Sequence, residues 1–118
     1  MTANTEDWLY DATVIQVKDG DTVVARVDLG FHVDVVLTFR LLGINTPELH
    51  GTSAPAGLAA KAWLVSQIEN KRVQIETVRD TTEKYGRYLA RIILEGKDMN
   101  QALVEAGHAV PYDGGKRV

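Results

Sequence analysis

The sequence predicts a mainly β protein with α-helices, folded as a five-stranded OB-like barrel with the element order β-β-β-α-β-β-α. Three segments rich in Val, Ile and Thr precede the first helical pattern, and two more separate it from a second helical pattern. Five short strands leave unpaired edges unless the sheet closes, and an OB-type barrel closes with that number. A packed β-sandwich with two helices fits the same periodicity almost as well.

The first three strands are predicted between residues 9 and 41. Residues 9–17 and 22–29 form a hairpin, because the intervening Lys18-Asp19-Gly20-Asp21 is a turn signal. Residues 33–41 alternate in the way that is typical of a long strand with one buried face. The predicted buried face contains Val33, Val35, Leu37, Phe39 and Leu41.

A helix is predicted after the polar loop at residues 49–55. Ser53 is its expected N-cap, and Pro55 falls in the first turn, where proline is tolerated. The helical spacing of apolar residues predicts one core-facing side. That side contains Leu58, Ala62, Val65 and Ile68.

Two strands, at residues 72–79 and 87–94, and a second helix complete the predicted barrel. The second helix is expected to begin at Asp98, with Gln101 in a capping-box-like position, and to end at Gly107. The chain has 118 residues with no repeat or linker, so residues 1–118 are expected to form a single domain.

Composition excludes several classes of protein. The absence of cysteine excludes a disulfide framework, a zinc–thiolate site and a cysteine nucleophile. A net charge of -3 argues against a generally basic nucleic-acid binder, although it leaves room for a few arginines at one site. Residues 1–10 contain no apolar run, so neither a signal peptide nor a membrane span is predicted. A cytoplasmic location is the expectation, with secretion left open and no membrane partner expected.

Three short segments carry the residues suited to catalysis: Asp19-Gly20-Asp21-Thr22, Arg40 to Glu48, and Glu83 to Tyr88. Taken singly, each is typical of a turn or a strand end. Together they supply loop carboxylates and strand arginines, which phosphodiester hydrolysis requires.

Each residue type has a chemical reason to be in such a site. Asp21 and a residue near Asn45 can offer oxygen ligands to a hard cation such as calcium. Glu48 is suited to deprotonating a water molecule. Arg40 and Arg87 can stabilise the negative charge of a phosphorane-like transition state through planar, bidentate guanidinium groups.

The three segments, in this order and at this spacing, resemble those of the staphylococcal nuclease (thermonuclease) family, from about Val14 to Tyr112. The resemblance implies a calcium-dependent nuclease that cuts DNA and RNA with little sequence preference and leaves 3′-phosphate and 5′-hydroxyl ends. It implies that Asp21 binds calcium, that Thr46 contributes its backbone carbonyl, and that Glu48 holds or activates the attacking water.

The same resemblance implies roles for six further residues. Arg40 and Arg87 would grip the scissile phosphate, and Lys84 and Tyr85 would contact the terminal phosphate and sugar of the nucleotide. Tyr112 matches a tyrosine near the base, and Asp19 would act beside the metal without binding it directly.

The sequence departs from the family pattern in two places. Asn45 occupies the position where a second calcium-binding aspartate is usual, so weaker calcium binding is expected. Larger members carry a third helix beyond the segment that matches Tyr112, whereas this sequence stops at Val118.

Two other functions are left open by the residues. One is a catalytically weak or inactive OB-fold module that binds nucleic acid. The other is an interaction domain that reads charged peptides with the same cleft. The joint presence of Arg40, Glu48 and Arg87 favours the nuclease. Neither the oligomeric state nor a preference for DNA or RNA follows from the sequence.

Overall fold

A computed structural model describes residues 7–82 and 86–112 of the chain. Within these residues the elements follow in the order β1 (Asp7–Asp19), β2 (Thr22–Asp28), β3 (Asp34–Leu41), β4 (Ile44–Asn45), a 3-10 turn (Gly51–Ser53), α1 (Ala54–Ile68), β5 (Arg72–Thr82), β6 (Tyr88–Leu94), β7 (Lys97–Asp98), α2 (Met99–Glu105) and β8 (Val110–Pro111).

The barrel consists of β1, β2, β3, β5 and β6. Antiparallel pairing joins the strands in the order β3-β2-β1-β5-β6, and a parallel pairing of β3 with β6 closes the sheet. The closing pairs run from Phe39 opposite Tyr88 to Leu41 opposite Ala90. The predicted five-stranded barrel with two helices is therefore confirmed. The short strands β4, β7 and β8 were not predicted.

The core fills the barrel with the alternate side chains of its strands. Val23, Ala25 and Val27 point inward from β2, and Phe39 and Leu41 do so from β3. The predicted inner face of the third strand is wrong at its beginning, because Val33 precedes β3 and is 50% exposed. The turn between β2 and β3 is exposed, with Leu29 46% and Phe31 97% exposed, whereas Val35 within β3 packs against the core.

Helix α1 packs through a face that the sequence predicted only in part, because Ile68 is buried and Val65 packs against the core as predicted. Leu58 is 56% exposed and Ala62 is exposed, whereas the buried residues are Gly57, Ala60, Leu64 and Ile68. In its first half the helix approaches neighbouring segments through Gly57 and Ala60, so side-chain size rather than hydrophobicity selects the buried residues there. Ser53 occupies the N-cap position without making a side-chain cap hydrogen bond, and Pro55 lies in the first turn as predicted.

Helix α2 has the termini that the sequence predicts. Asp98 Oδ1 accepts a hydrogen bond from the Gln101 N–H at 3.1 Å. At the other end the N–H groups of Gly107 and His108 donate to the carbonyls of Val104 and Leu103, with Gly107 in the left-handed conformation. This is the Schellman arrangement, which satisfies the last carbonyl groups of a helix. Neither α1 nor α2 has the length and apolar character that a helix needs to cross a bilayer.

Buried Asn100 ties α2 to the part of the barrel where the predicted site lies. Its Oδ1 accepts from the Ile92 N–H at 3.1 Å, and its Nδ2 donates to the carbonyls of Ala90 and Leu42. All the polar groups of this side chain are thus used inside the protein, as burial requires. The bond to Leu42 holds the chain between β3 and β4, immediately before Asn45 and Thr46.

Candidate active site

The β1–β2 turn presents Asp21 to the rest of the predicted site. Gly20 allows this turn to pack closely, because a Cβ atom there would lie 2.9 Å from the Ala60 Cβ and 3.0 Å from the Thr46 Cβ. The Leu41 N–H also donates to the Asp21 carbonyl at 2.8 Å. The position of Asp21 is therefore fixed by α1, by β3 and by the segment after β4.

The Asp21 carboxylate is the centre of the observed group. Its Oδ2 lies 3.5 Å from Arg40 Nη2 and accepts from the Thr46 N–H at 3.3 Å. Its Oδ1 accepts from the Thr22 hydroxyl at 3.2 Å. The Asp21 side chain is 12% exposed, so this charge is held by partners rather than by bulk water.

Arg40 lies on the outer face of β3, between the inward-pointing Phe39 and Leu41. Its Nη1 donates to the Leu41 carbonyl at 2.7 Å, and its Nη2 donates to Asn45 Oδ1 at 3.3 Å. Nη2 therefore faces both Asp21 and Asn45. The structure brings together Asp21, Arg40, Asn45 and Thr46, while their predicted roles at a metal and a phosphate stay predictions.

Thr22 connects Arg87 to this group. Arg87 Nη1 donates to Thr22 Oγ1 at 3.3 Å, and the same hydroxyl donates to Asp21 Oδ1. Both arginines are thereby linked to Asp21, Arg40 directly and Arg87 through one hydroxyl. Thr22 belongs to the first motif of the sequence, but no role was predicted for it. The role of Thr22 could not be predicted from the motif, because the motif does not show that Arg87 lies beside Thr22 in the fold.

Asp19 lies next to Asp21 and has an altered acidity. Its Oδ1 accepts from the Asp21 N–H at 3.0 Å. Burial, followed by the hydrogen bonding and the negative charge of the Asp21 carboxylate, raises the pKa of Asp19 above its ordinary value of 3.8. Asp19, the last residue of β1, therefore places a second carboxyl group beside Asp21, and its predicted role beside a metal stays a prediction.

The backbone of Glu48 is fixed by α1, while its side chain is exposed. A Cβ atom on Gly57 would overlap the Glu48 carbonyl oxygen and would lie 2.8 Å from the Pro47 carbonyl oxygen, so only glycine permits this approach. The Ser53 hydroxyl donates to the Glu48 carbonyl at 3.4 Å. Among the described residues the Glu48 carboxylate has no hydrogen-bond or ion-pair partner, so it is not joined to the Asp21 group.

Tyr112 lies on the same side of the barrel as the segment between β3 and β4. Its N–H donates to the Gly43 carbonyl at 2.9 Å, next to the pairing of β8 with β4. The predicted contact with a nucleotide base stays a prediction. Lys84 and Tyr85 lie outside the described residues, so their predicted contacts with the nucleotide also stay predictions.

The oxygen atoms around Arg40 Nη2 fit a hard cation in their chemical type. Asp21 Oδ2 and Asn45 Oδ1 both face that nitrogen, at 3.5 and 3.3 Å. Two oxygen atoms of the kind that bind calcium therefore already converge on one positive charge. Across residues 7–82 and 86–112, no three His, Cys, Asp or Glu side chains cluster in a way that could hold a metal. A calcium site here would therefore need amide, backbone or water oxygens beside Asp21.

The fold and this group of residues define a class of protein. It is an OB-type barrel with two arginines linked to one shielded carboxylate. That arrangement suits the recognition of a phosphate in a charged, partly desolvated setting.

Comparison with known proteins identifies the family. The family model described as "Staphylococcal nuclease homologue" matches residues 38–117. The thermonuclease of Staphylococcus intermedius is 35% identical over 99 residues, covering 81% of this chain and 56% of that protein. An uncharacterized protein of Methanocaldococcus jannaschii is 30% identical over 128 residues, covering 87% of this chain and 59% of that protein.

A third relative is the SPbeta prophage-derived endonuclease YokF of Bacillus subtilis, which is 32% identical over 105 residues, covering 86% of this chain and 34% of that protein. The chain therefore belongs to the staphylococcal nuclease family. It matches little more than half the length of the thermonuclease and the archaeal protein.

Proposed function

We propose that the chain is a calcium-dependent nuclease that hydrolyses phosphodiester bonds in DNA and RNA with little sequence preference. The observation that carries the proposal is the linkage of Arg40 and Arg87 to Asp21, directly and through Thr22. Two relatives bear the names thermonuclease and endonuclease, which supports the same reaction class.

The two arginines would bind the scissile phosphate and stabilise its transition state. Hydrolysis places additional negative charge on the phosphate oxygens, and guanidinium groups stabilise it through paired, permanently charged donors. Arg40 is held at the Leu41 carbonyl by Nη1, and Arg87 is held at Thr22 by its own Nη1. Anchored side chains lose less freedom when they bind the phosphate than mobile ones would.

Glu48 would act as the general base. Its exposed carboxylate, on a backbone segment fixed against Gly57, is available to accept a proton from a water molecule. The water oxygen attacks phosphorus, and the bond from phosphorus to the 5′ oxygen breaks. The departing 5′ oxygen takes a proton from solvent, which leaves a 3′-phosphate on one product and a 5′-hydroxyl on the other.

Asp21, Asn45 and the Thr46 carbonyl are the groups that we propose to hold calcium. The chemistry that bound calcium supplies at such a site is positive charge beside the phosphate and the attacking water. Asp21 and Asn45 now share Arg40 Nη2 as a partner. Occupation of their oxygens by a cation would therefore release Arg40 toward the substrate.

A second candidate is the module that binds nucleic acid without cutting it. The replacement of the usual aspartate by Asn45 favours this reading, since it removes one formal charge from the proposed metal ligands. A nucleoside bisphosphate distinguishes the two functions. A nuclease site of this kind binds that compound only when calcium is present, whereas a simple strand-binding surface has no such requirement.

The experiment that tests the nuclease is cleavage of end-labelled DNA and RNA in calcium by wild type and by Arg87→Lys. Lysine keeps the charge but removes the planar donor pair, so we expect the rate to fall about 100-fold. Arg72→Lys is the matched control, because Arg72 is 65% exposed in its side chain and pairs with Asp28 at 3.8 Å. Equal rates for the two variants would contradict the assignment of Arg87.

A further inference from the structure

We propose that Lys18 and Thr38 form a second phosphate subsite, which binds the nucleic-acid strand next to the scissile bond. This inference rests on the proposed function and extends the same site along the outer face of the barrel. The two residues line a pocket of about 400 Å³ together with Asp19, Thr22, Gly86 and Arg87. Neither residue was predicted from the sequence to bind a ligand.

The pocket is continuous with the arginine group. Thr22 and Arg87 are common to both, and they are hydrogen-bonded to each other at 3.3 Å. On the β2–β3 ladder, Thr22 lies opposite Arg40 and Val24 lies opposite Thr38. Arg40 and Thr38 are therefore two residues apart on one strand face, about 6.6 Å at the usual rise. The pocket extends along the strand direction from the proposed site of the scissile phosphate.

The polar groups that line the pocket are not equally available to a ligand. The Thr22 hydroxyl is engaged by Asp21 and Arg87, and Asp19 Oδ1 accepts the Asp21 N–H. In the described part of the chain, the side chains of Lys18 and Thr38 have no hydrogen-bond or ion-pair partner, and Lys18 is exposed. The Lys18 ammonium group and the Thr38 hydroxyl are therefore available to a ligand.

The size and the chemistry of the pocket together select its ligand. A volume of about 400 Å³ is within the range of pockets that hold small organic ligands. Among the lining side chains Lys18 and Arg87 are cationic and Asp19 is anionic, and the Asp21 carboxylate behind Thr22 is paired with Arg40. A phosphate with its attached sugar matches this set, because a lysine ammonium binds phosphate as a point charge and a hydroxyl donates to its oxygens.

The test compares Lys18→Ala and Thr38→Val with the control Lys97→Ala. Lys97 is exposed on β7, which pairs with the end of β6 remote from Tyr88. Binding of a labelled single-stranded DNA of about twelve nucleotides is measured by fluorescence anisotropy in chelator over a range of salt concentrations. We expect Lys18→Ala to reduce the slope of log affinity against log salt by about 0.7, the contribution of one single-strand phosphate contact. The slope for Lys97→Ala should equal that of wild type.

Cleavage kinetics in calcium give the second readout. Lys18→Ala and Thr38→Val should each raise KM for the longer strand by roughly three- to fivefold with kcat unchanged. Neither variant should change KM for a dinucleoside monophosphate, whose only phosphate is the scissile one. If wild type cleaves the strand, but Lys18→Ala and Lys97→Ala have the same salt slope and the same KM, the subsite is overturned and the nuclease is not. A reduced slope for Lys18→Ala in a protein that cuts nothing would support the subsite and overturn the nuclease.

Discussion

Arg40 Nη2 lies 3.5 Å from Asp21 Oδ2, and the two side chains are only 14% and 12% exposed. The guanidinium therefore compensates a carboxylate that solvent reaches poorly. Asn45 Oδ1 contacts the same nitrogen at 3.3 Å, so the positive charge lies where two proposed metal ligands meet. Under the proposed function, a cation bound at these two oxygens would release the arginine, and the charge at position 45 would set the strength of cation binding.

Asn45→Asp is expected to tighten calcium binding by tenfold or more. A second carboxylate adds a full negative charge beside Asp21, and a close pair of opposite charges is worth up to about 4 kcal/mol at an effective dielectric of about 20. Isothermal titration calorimetry measures the change. Gln67→Glu, which adds the same charge on helix α1, is the control and should leave the affinity unchanged. No gain for Asn45→Asp would remove residue 45 from the proposed metal ligands.

Thr22→Val should lower kcat by about 10- to 100-fold while the barrel stays folded. Valine keeps the shape of the side chain but removes the hydroxyl that joins Asp21 to Arg87, and hydrogen bonds to charged groups contribute about 1.5–3 kcal/mol. Steady-state cleavage of DNA measures the loss. Thr13→Val, on a half-buried strand position outside the site, is the control. Unchanged kcat in Thr22→Val would show that Arg87 needs no such link.

Gly57→Ala should destabilise the protein and lower its activity. Helix propensity alone predicts a gain of up to about 1 kcal/mol from this change. The added Cβ, however, would overlap the Glu48 carbonyl oxygen, and overpacking of this kind costs about 1–3 kcal/mol. The steric effect should win, and urea unfolding measures the net change. Ser66→Ala, at an exposed position of α1, is the control; a more stable Gly57→Ala variant would refute the close contact.

Asp19 should make the free energy of unfolding fall as pH rises above 3.8 in the absence of calcium. Its pKa is raised in the folded protein, so the folded state holds this proton more tightly than the unfolded chain does. The stabilisation is present at acidic pH and is lost as the pH passes through the raised pKa. Asp19→Asn removes this titration, so its stability relative to wild type should increase with pH.

Urea unfolding of wild type and Asp19→Asn at several pH values, all in chelator, measures that difference. Asp34→Asn is the control, because Asp34 is exposed and is the first residue of β3, at the end away from Arg40. Its stability should change with pH as that of wild type does. If Asp19→Asn also tracks wild type at every pH, burial and the nearby Asp21 carboxylate do not raise the pKa of Asp19.

The sequence predicted the barrel because strand alternation and turn residues are local signals. Phe39 and Leu41 alternate with Arg40, and this pattern alone placed the arginine on the outer face. The motifs likewise predicted the meeting of Asp21, Arg40, Asn45 and Thr46. The pairing of β3 with β6, which closes the barrel, joins residues about 49 apart in the chain and has no local signal.

The features that the sequence did not predict depend on close packing between distant segments. The predicted buried face of α1 was wrong in the first half of the helix, because Gly57 and Ala60 are selected by the proximity of Glu48 and Gly20 and not by hydrophobicity. The bridging role of Thr22 depends on where Arg87 comes to lie, 65 residues later. Such contacts follow from three-dimensional shape, which a one-dimensional pattern does not contain.

The most direct test of the nuclease is single-turnover cleavage of single-stranded DNA at mildly alkaline pH, by wild type and Glu48→Gln, in calcium and in chelator. Glutamine keeps the size of Glu48 but cannot accept the proton of water, so a loss of about 100-fold or more is expected. Glu105→Gln, on the exposed end of α2, should cut as wild type does. Cutting that requires calcium and collapses in Glu48→Gln is the predicted result. Strand binding without cutting in calcium would contradict it and leave a nucleic-acid-binding module.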